Sequence, residues 1–317
     1  MISVGVVGLG AMGQHHARLY SQLDCYLAGV ADVNLERARE IGQKYKTRYY
    51  SDYHELLEKV QAVSIAVPTI QHHAIAMDFL ARSVHCLVEK PIAFTVEQAE
   101  EMIGAAEKSH ANLAVGHIEQ YNPATIKLKQ IINEGLLGDL LIISTRRVCP
   151  FVSRISDVGA VIDTAIHDIG VVKYLVGREP LSVFSRVGSE RHIKEDYAVV
   201  VLDFGGTTAC IEVNWFTPQK ARTLVATGSE GVAYLNYIEQ SLLIQYPDLT
   251  KIINIKKEEP LKIELQDFLN SIDEKRKPLV DGVEGKEVLR ISLESSQNNY
   301  RTLYELAKNP TRSIVSI

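Results

Sequence analysis

Little in this 317-residue chain is available for covalent or metal cross-linking. The only cysteines are Cys25, Cys86, Cys149 and Cys210, far apart and without a CxxC pair. That spacing argues against a disulfide frame and a zinc site, and is expected of reduced structural thiols in a reducing compartment. No basic tract appears and the net charge is −5, so nucleic acid is not an expected partner. No apolar run approaches the length needed to span a bilayer. The strand-like start, Ile2-Ser3-Val4-Gly5-Val6-Val7, has no basic region followed by an apolar stretch and a cleavage site. The expectation is therefore a cytoplasmic globular protein without membrane partner or signal peptide. Hydrophobic residues make up 46% and charged residues 23%, enough apolar material for real cores without staples. The length suggests two domains.

What is present is patterned. Over the first 120 or so residues, apolar β-type runs alternate with helical stretches. Val4–Val7, Leu27–Ala31, Ala62–Val67, His85–Val88 and Leu113–Val115 read as strands. Gln14–Gln22, Leu35–Tyr45, Asp52–Glu58, Gln71–Arg82 and Thr95–Ser109 read as helices between them. Continuous apolar strands separated by helices indicate a parallel, doubly wound sheet. After Pro123 the pattern changes. Helices are expected at Ala124–Glu134 and Val161–Val176, and at the end over Glu287–Ala307. β-rich runs are expected at Leu140–Val148, Leu181–Val187, Tyr197–Phe204, Ala209–Trp215, Arg222–Thr227 and Val232–Asn236. Several alternate apolar with polar residues, the signature of antiparallel strands with one covered face. The fold class is α/β: residues 1–121 as a dinucleotide-binding domain, then residues 122–317 as an α+β domain with an open-faced, mostly antiparallel sheet. Trp215 and Phe216 read as sheet packing or an oligomer contact, and Lys256-Lys257-Glu258-Glu259 as a solvated loop.

Gly8-Leu9-Gly10-Ala11-Met12-Gly13 follows the first strand and opens the first helix. The first glycine permits a tight turn, the second lets backbone approach a pyrophosphate, and the third lets helix pack closely on strand. The helix start offers free N–H groups to phosphates. Asp32 ends the second strand about 20 residues further on, where a carboxylate binds ribose hydroxyls and repels a 2′-phosphate. NAD is the expected cofactor, with NADP left open by the nearby Arg37. Asp32 also reads as a cap of the next helix.

Two more strand ends carry Val67-Pro68-Thr69 with His72, and Glu89-Lys90-Pro91. Ligands of such sheets sit outside the carboxyl ends of strands, although Pro68 and Pro91 also serve simply as strand terminators. Downstream, Asp163 and His167 are four apart and share one face if helical. A carboxylate can orient an imidazole as a general base, and Asp168 competes for that role. No metal cluster is read.

Together, the glycine motif, Val67-Pro68-Thr69 with His72, Glu89-Lys90-Pro91 and Asp163-x-x-x-His167 resemble, in order and spacing, the glucose–fructose oxidoreductase/inositol dehydrogenase (Gfo/Idh/MocA) family over essentially the whole chain. The resemblance implies a Rossmann domain followed by a sheet domain for substrate binding and oligomerisation. It implies Gly8, Gly10, Ala11, Met12, Gly13, Asp32, Val67, Pro68, His72, Glu89 and Lys90 as cofactor-binding residues. It further implies Lys90 beside the nicotinamide and the reacting hydroxyl, His167 as general base, and Asp163 as its partner or a substrate ligand.

Val115-Gly116-His117-Ile118-Glu119-Gln120-Tyr121-Asn122-Pro123 resembles the V-G-H-x-E-R-F-N-P segment of a subgroup that includes UDP-N-acetylglucosamine 3-dehydrogenases. His117, Glu119, Tyr121 and Asn122 then join Lys90, Asp163 and His167 as substrate-binding residues. Gln120 and Tyr121 depart from that pattern, and Gln120 removes a positive charge. Arg146, Arg147 and Arg154 are alternative diphosphate ligands or a solvated strand edge. The implied activity is NAD(P)-dependent oxidation of a secondary sugar hydroxyl, with the C3 hydroxyl of a UDP-N-acetyl sugar as first choice. An inositol or free-sugar dehydrogenase and a non-catalytic, dinucleotide-responsive regulator stay open. A homodimer or homotetramer is implied by fold analogy.

Overall fold

The computed structural model describes residues 1–151 and 158–297. The chain falls into two compact units, one of Met1–Tyr121 with Glu258–Leu289, the other of Asn122–Lys257 with the residues from Arg290 on.

The first unit opens with β1 (Ser3–Val7), α1 (Gly13–Tyr20), β2 (Tyr26–Ala31), α2 (Leu35–Tyr45) and β3 (Arg48–Tyr50). It continues through β4 (Ala62–Ile65), α3 (His72–Leu80), β5 (His85–Glu89), α4 (Val96–Ser109) and β6 (Leu113–Gly116). The strands form one sheet in the order β3-β2-β1-β4-β5-β6, with every pair parallel. Val4, Val6 and Val7 are buried, which is why β1 reads as an unbroken apolar run. From β1 the chain winds out to β3, then returns to build β4–β6 on the other side. The winding reverses between β1 and β4, where the glycine loop leaves β1. The expected helix at Asp52–Glu58 is a 3₁₀ turn, Tyr53–Leu56. β3 was not expected, since three residues of an exposed edge carry too little periodicity to register.

The second unit holds α5 (Pro123–Asn133), β7 (Leu140–Val148), α6 (Ile166–Val176), β8 (Ser182–Gly188), β9 (Tyr197–Asp203) and β10 (Thr208–Asn214). It also holds β11 (Ala221–Gly228), β12 (Val232–Asn236), β13 (Ser241–Gln245) and β14 (Thr250–Ile253). These eight strands form one sheet, ordered β14-β13-β12-β11-β7-β10-β9-β8. Only β7 and β10 pair in parallel; the remaining pairs are antiparallel. In β10, Ala209, Ile211 and Val213 are buried while Cys210, Glu212 and Asn214 are half-exposed. α6 packs on β7 and β10, and α5 on β12 and β13.

The expected second domain, residues 122–317 without interruption, differs from the observed division at 258–289. There α7 (Pro260–Asp273) and the start of α8 (Gly282–Ser296) return to the first unit. Leu261, Leu265, Phe268 and Leu269 of α7 share one helix face and enter the core around Val4, Val6, Ala17 and Tyr20. The Val115 N–H also donates to the Val280 carbonyl at 3.0 Å, adding the return segment to the edge of β6. The final helix begins at Gly282 rather than Glu287, and the expected stretch beyond residue 297 lies outside the described residues. No helix among the described residues is long and apolar enough to cross a membrane.

Candidate functional site

All the strand-end motifs of the first unit lie at the carboxyl edge of its parallel sheet. Gly8 has φ +83°, and a Cβ there would stand 2.5 Å from the Ala66 carbonyl oxygen. A Cβ on Gly13 would stand 1.8 Å from the Gly8 carbonyl oxygen, so helix and turn touch only because both residues are glycine. Gly10 is different: a Cβ there would meet nothing within 4 Å. Its backbone faces open space, as approach by a pyrophosphate requires. The N-cap of α1, Met12, gives no side-chain cap, and no acid occupies the first turn. The positive end of α1 is thus left to Gly10, Ala11, Met12 and Gly13 and whatever anion they meet. These features fit a dinucleotide.

Asp32 does not cap α2; Asn34 does, accepting from the Arg37 N–H at 3.2 Å. One Asp32 oxygen accepts from the Leu9 N–H at 2.7 Å and the other from the Asn34 N–H at 2.8 Å. The acid is therefore fixed against the glycine loop.

At the end of β4, Val67 and Pro68 lead into α3, where His72 is buried. Its ring nitrogens lie 2.8 Å from the Val67 carbonyl and 2.9 Å from the Pro91 carbonyl. Burial, the largest influence, holds its pKa below the usual imidazole value. His72 thus braces the two strand-end turns against each other. Glu89, at the end of β5, lies 3.0 Å from His16 Nε2 and accepts from the Lys90 N–H at 3.2 Å. Burial pushes its carboxyl up, but His16 and Lys90 outweigh that and hold it below the usual carboxylate value. Lys90 itself is half-buried.

His117 follows β6 and is 2% exposed. Neither ring nitrogen has a hydrogen-bond partner. Burial first, and then the Lys90 charge, push its pKa down to about 4, so the imidazole is neutral at physiological pH. A buried, unsatisfied polar ring costs about 1–3 kcal/mol, which a hydrogen-bonding ligand would recover. The rest of the segment is engaged within the fold. Glu119 and Gln120 are buried. The Tyr121 hydroxyl donates to Asp267 at 3.0 Å. Asn122 caps α5 by accepting from the Ala124 N–H at 3.1 Å and donates to the Tyr237 carbonyl at 3.1 Å. Tyr121 and Asn122, expected as substrate ligands, are thus each hydrogen-bonded within their own unit.

In the second unit the expected helix over Val161–Val176 is split. Val161–Ala165 is a π-helical turn and α6 begins at Ile166. Asp163 lies in the wide turn and His167 in the first turn of α6, both half-buried. π-Turns inside helices are frequent at functional sites. The Thr164 hydroxyl donates to the Asp163 carboxylate at 3.1 Å, and Trp215 Nε1 donates to that hydroxyl at 3.3 Å. Asp168, the competing acid, is committed elsewhere. Arg147 donates to it from Nε at 2.6 Å and from Nη2 at 3.3 Å, with both side chains buried. Arg147 is thus neither a solvated edge nor a diphosphate ligand, but half of a buried ion pair. Arg146 pairs with Glu212 on the half-exposed face at 3.1 Å. Arg154 lies outside the described residues.

Three features of the structure are not among the sequence expectations. His16 and Glu89 are 73 residues apart. Glu264 of α7 is buried with neither carboxyl oxygen hydrogen-bonded. Burial, then Glu89 and Asp267, raise its pKa well above the usual value. Arg37 joins α2 to the glycine loop. A helix-face reading of α7 would have exposed Glu264 as an acid inside an apolar stripe.

Residues 2–117 match the model of an oxidoreductase family with an NAD-binding Rossmann fold, and residues 125–234 match the GFO/IDH/MocA C-terminal domain. The chain is 32% identical over 301 residues to the UDP-N-acetylglucosamine 3-dehydrogenase of Acidithiobacillus ferrooxidans, covering 92% of this chain and 95% of that protein. A crystal structure of that dehydrogenase superposes with a TM-score of 0.88 at 31% identity, covering 94% of this chain and 98% of the other. The myo-inositol 2-dehydrogenase of Thermotoga maritima is 30% identical over 218 residues, 63% of this chain and 64% of that one. Levoglucosan dehydrogenase in complex with NADH shares the fold, with a TM-score of 0.86 at 21% identity, covering 95% of this chain and 97% of the other. With a glycine loop shaped for a dinucleotide and both domain models matched, the chain belongs to the GFO/IDH/MocA oxidoreductases, whose N-terminal domain is an NAD-binding Rossmann fold.

Proposed function

We propose that this protein is an NAD-dependent dehydrogenase that oxidises the C3 hydroxyl of a UDP-N-acetyl sugar. The observation that carries this reading is the near full-length similarity to the UDP-N-acetylglucosamine 3-dehydrogenase of Acidithiobacillus ferrooxidans. Gly8, Gly10, Ala11, Met12 and Gly13 take the pyrophosphate, Asp32 the ribose, and Val67 and Pro68 the nicotinamide side. NAD, when bound, accepts the hydride. Lys90 places an ammonium beside the reacting oxygen and stabilises the charge that develops as the proton leaves. His167 takes that proton, and Asp163 orients it. His72 and Glu89 hold the strand-end turns that present Lys90. The neutral imidazole of His117 supplies an uncharged hydrogen bond to the bound sugar, while Glu119, Tyr121 and Asn122 hold the turn that carries it.

A second reading, an inositol or free-sugar dehydrogenase, is favoured by Gln120. It stands where arginine is usual in the nucleotide-sugar subgroup, and its buried amide nitrogen has no hydrogen-bond partner. A homodimer or homotetramer in the cytoplasm is part of the same proposal. The exposed Leu141, Ile142, Phe184 and Val199 of the eight-stranded sheet support an assembly.

The test is NADH formation with UDP-N-acetylglucosamine, myo-inositol and glucose in parallel. Turnover confined to the UDP-sugar is expected. Turnover on myo-inositol or glucose alone moves the protein to the second reading, and NAD binding with no turnover on any of the three favours a regulator.

A further inference from the structure

The Arg37 guanidinium is divided among three partners. Nε donates to the Leu9 carbonyl at 3.0 Å, Nη2 to Gln14 Oε1 at 2.9 Å and Nη1 to Glu40 at 2.7 Å. Leu9 is fully buried and sits between the first two glycines of the loop. Its N–H is already taken by Asp32 at 2.7 Å. Leu9 is therefore gripped at both its N–H and its carbonyl, the first by Asp32 just after β2 and the second by Arg37 in the first turn of α2. Gln14 extends the hold, because its Nε2 reaches back to the Ala11 carbonyl at 3.4 Å.

A glycine loop needs such support. Gly10 has no side chain and its backbone faces open space, so packing does not fix its orientation. Ordering flexible backbone costs free energy, and a loop already ordered spares the ligand that cost. We propose that Arg37 is a positioning residue: together with Asp32 it pre-forms the glycine loop, raising dinucleotide affinity without touching the dinucleotide.

The competing role for an arginine just beyond the acid of β2 is a clamp for a 2′-phosphate. Serving as one would pull the guanidinium from Leu9 and Gln14 and loosen the loop that holds the pyrophosphate. The weight of the arrangement rests on those two contacts. The Glu40 side chain is 64% exposed, and a solvated i,i+3 pair contributes little.

The two roles separate in a binding experiment. NAD and NADP are titrated calorimetrically into the parent protein and the Arg37→Ala, Arg37→Lys and Gln14→Ala variants, with melting temperatures measured alongside. A pre-forming role predicts that Arg37→Ala raises the Kd for NAD about tenfold, equivalent to about 1.4 kcal/mol. It raises the Kd for NADP by the same factor, leaving their ratio unchanged. Arg37→Lys, which can still donate to Leu9, recovers part of the loss. Gln14→Ala shows a smaller loss in the same direction, and carries the test alone if Arg37→Ala does not fold. Loss of NADP binding alone in Arg37→Ala identifies a phosphate clamp and overturns the proposal. Unchanged affinities for both overturn it as well, as does a lowered melting temperature without a change in Kd.

Discussion

The carboxyl edge of the six-stranded sheet and the π-turn region beside the eight-stranded sheet hold their polar groups in different ways. At the first, most partners are backbone groups. Asp32 accepts from two N–H groups, Glu89 from the Lys90 N–H, and His72 lies between two carbonyls. In the second region side chains hold side chains: Arg147 with Asp168, and Trp215 with Thr164 and Thr164 with Asp163. A strand end presents backbone in a fixed direction, so the few residue types that suit it recur as short contiguous motifs. A buried ion pair depends on two elements meeting, and nothing near either residue announces it. The expected consequence is that a side chain such as Lys90, at the end of β5, can be changed with little cost to the fold, whereas a change in the Arg147–Asp168 pair costs stability.

That contrast can be broken from either side. The largest effect is expected for Lys90→Ala. Turnover falls about 10²- to 10⁴-fold, the range for a lost acid–base or charge-stabilising group. NAD binding and melting temperature stay near the parent. Full turnover in this variant, or unfolding, would remove Lys90 from the chemistry or from the fold-neutral edge.

Next comes Arg147→Met, which removes the buried guanidinium that donates to Asp168 from Nε and Nη2. The expected destabilisation is about 3–5 kcal/mol, read from urea unfolding. Arg147→Met/Asp168→Leu should restore most of it, because the buried charge is removed with its partner. A single variant as stable as the parent, with altered turnover instead, would make the second region resemble the first.

The smallest effect tests a buried acid of the first unit that, like His117, lacks the backbone partners of Asp32 and Glu89. Glu264 is buried there without hydrogen bonds and its pKa is raised. The stability that depends on its proton is fully present below its usual value of 4.5 and lost as pH rises through the raised value in the folded protein. Glu264→Gln, which cannot ionise, should match the parent in mild acid. It should then become progressively more stable than the parent as pH rises. Parallel pH–stability curves for the two proteins would contradict a buried, protonated Glu264.

Legibility followed the same line. β1, the glycine loop, Asp32 and the Glu89-Lys90 turn could be read because buried parallel strands are continuously apolar and tight turns require glycine. The four-residue spacing of Asp163 and His167 was legible, but the π-turn that carries Asp163 was not, because four residues span about one turn in either helix type. The hydrogen bonds of Tyr121 to Asp267 and of Asn122 to the Tyr237 carbonyl were not legible, since a polar residue in a motif does not disclose which distant partner it takes.

By itself the sequence determined a parallel doubly wound sheet with a dinucleotide loop, followed by a mostly antiparallel sheet. Sterics and the periods of strand and helix act over a few residues and need no distant partner. Only the tertiary structure decided the return of α7 to the first core, the His16–Glu89 contact, the Arg147–Asp168 pair and the hold of Arg37 on Leu9. Each depends on residues brought together by the packing of whole elements, and that packing is settled by the sum of buried contacts rather than by any local pattern.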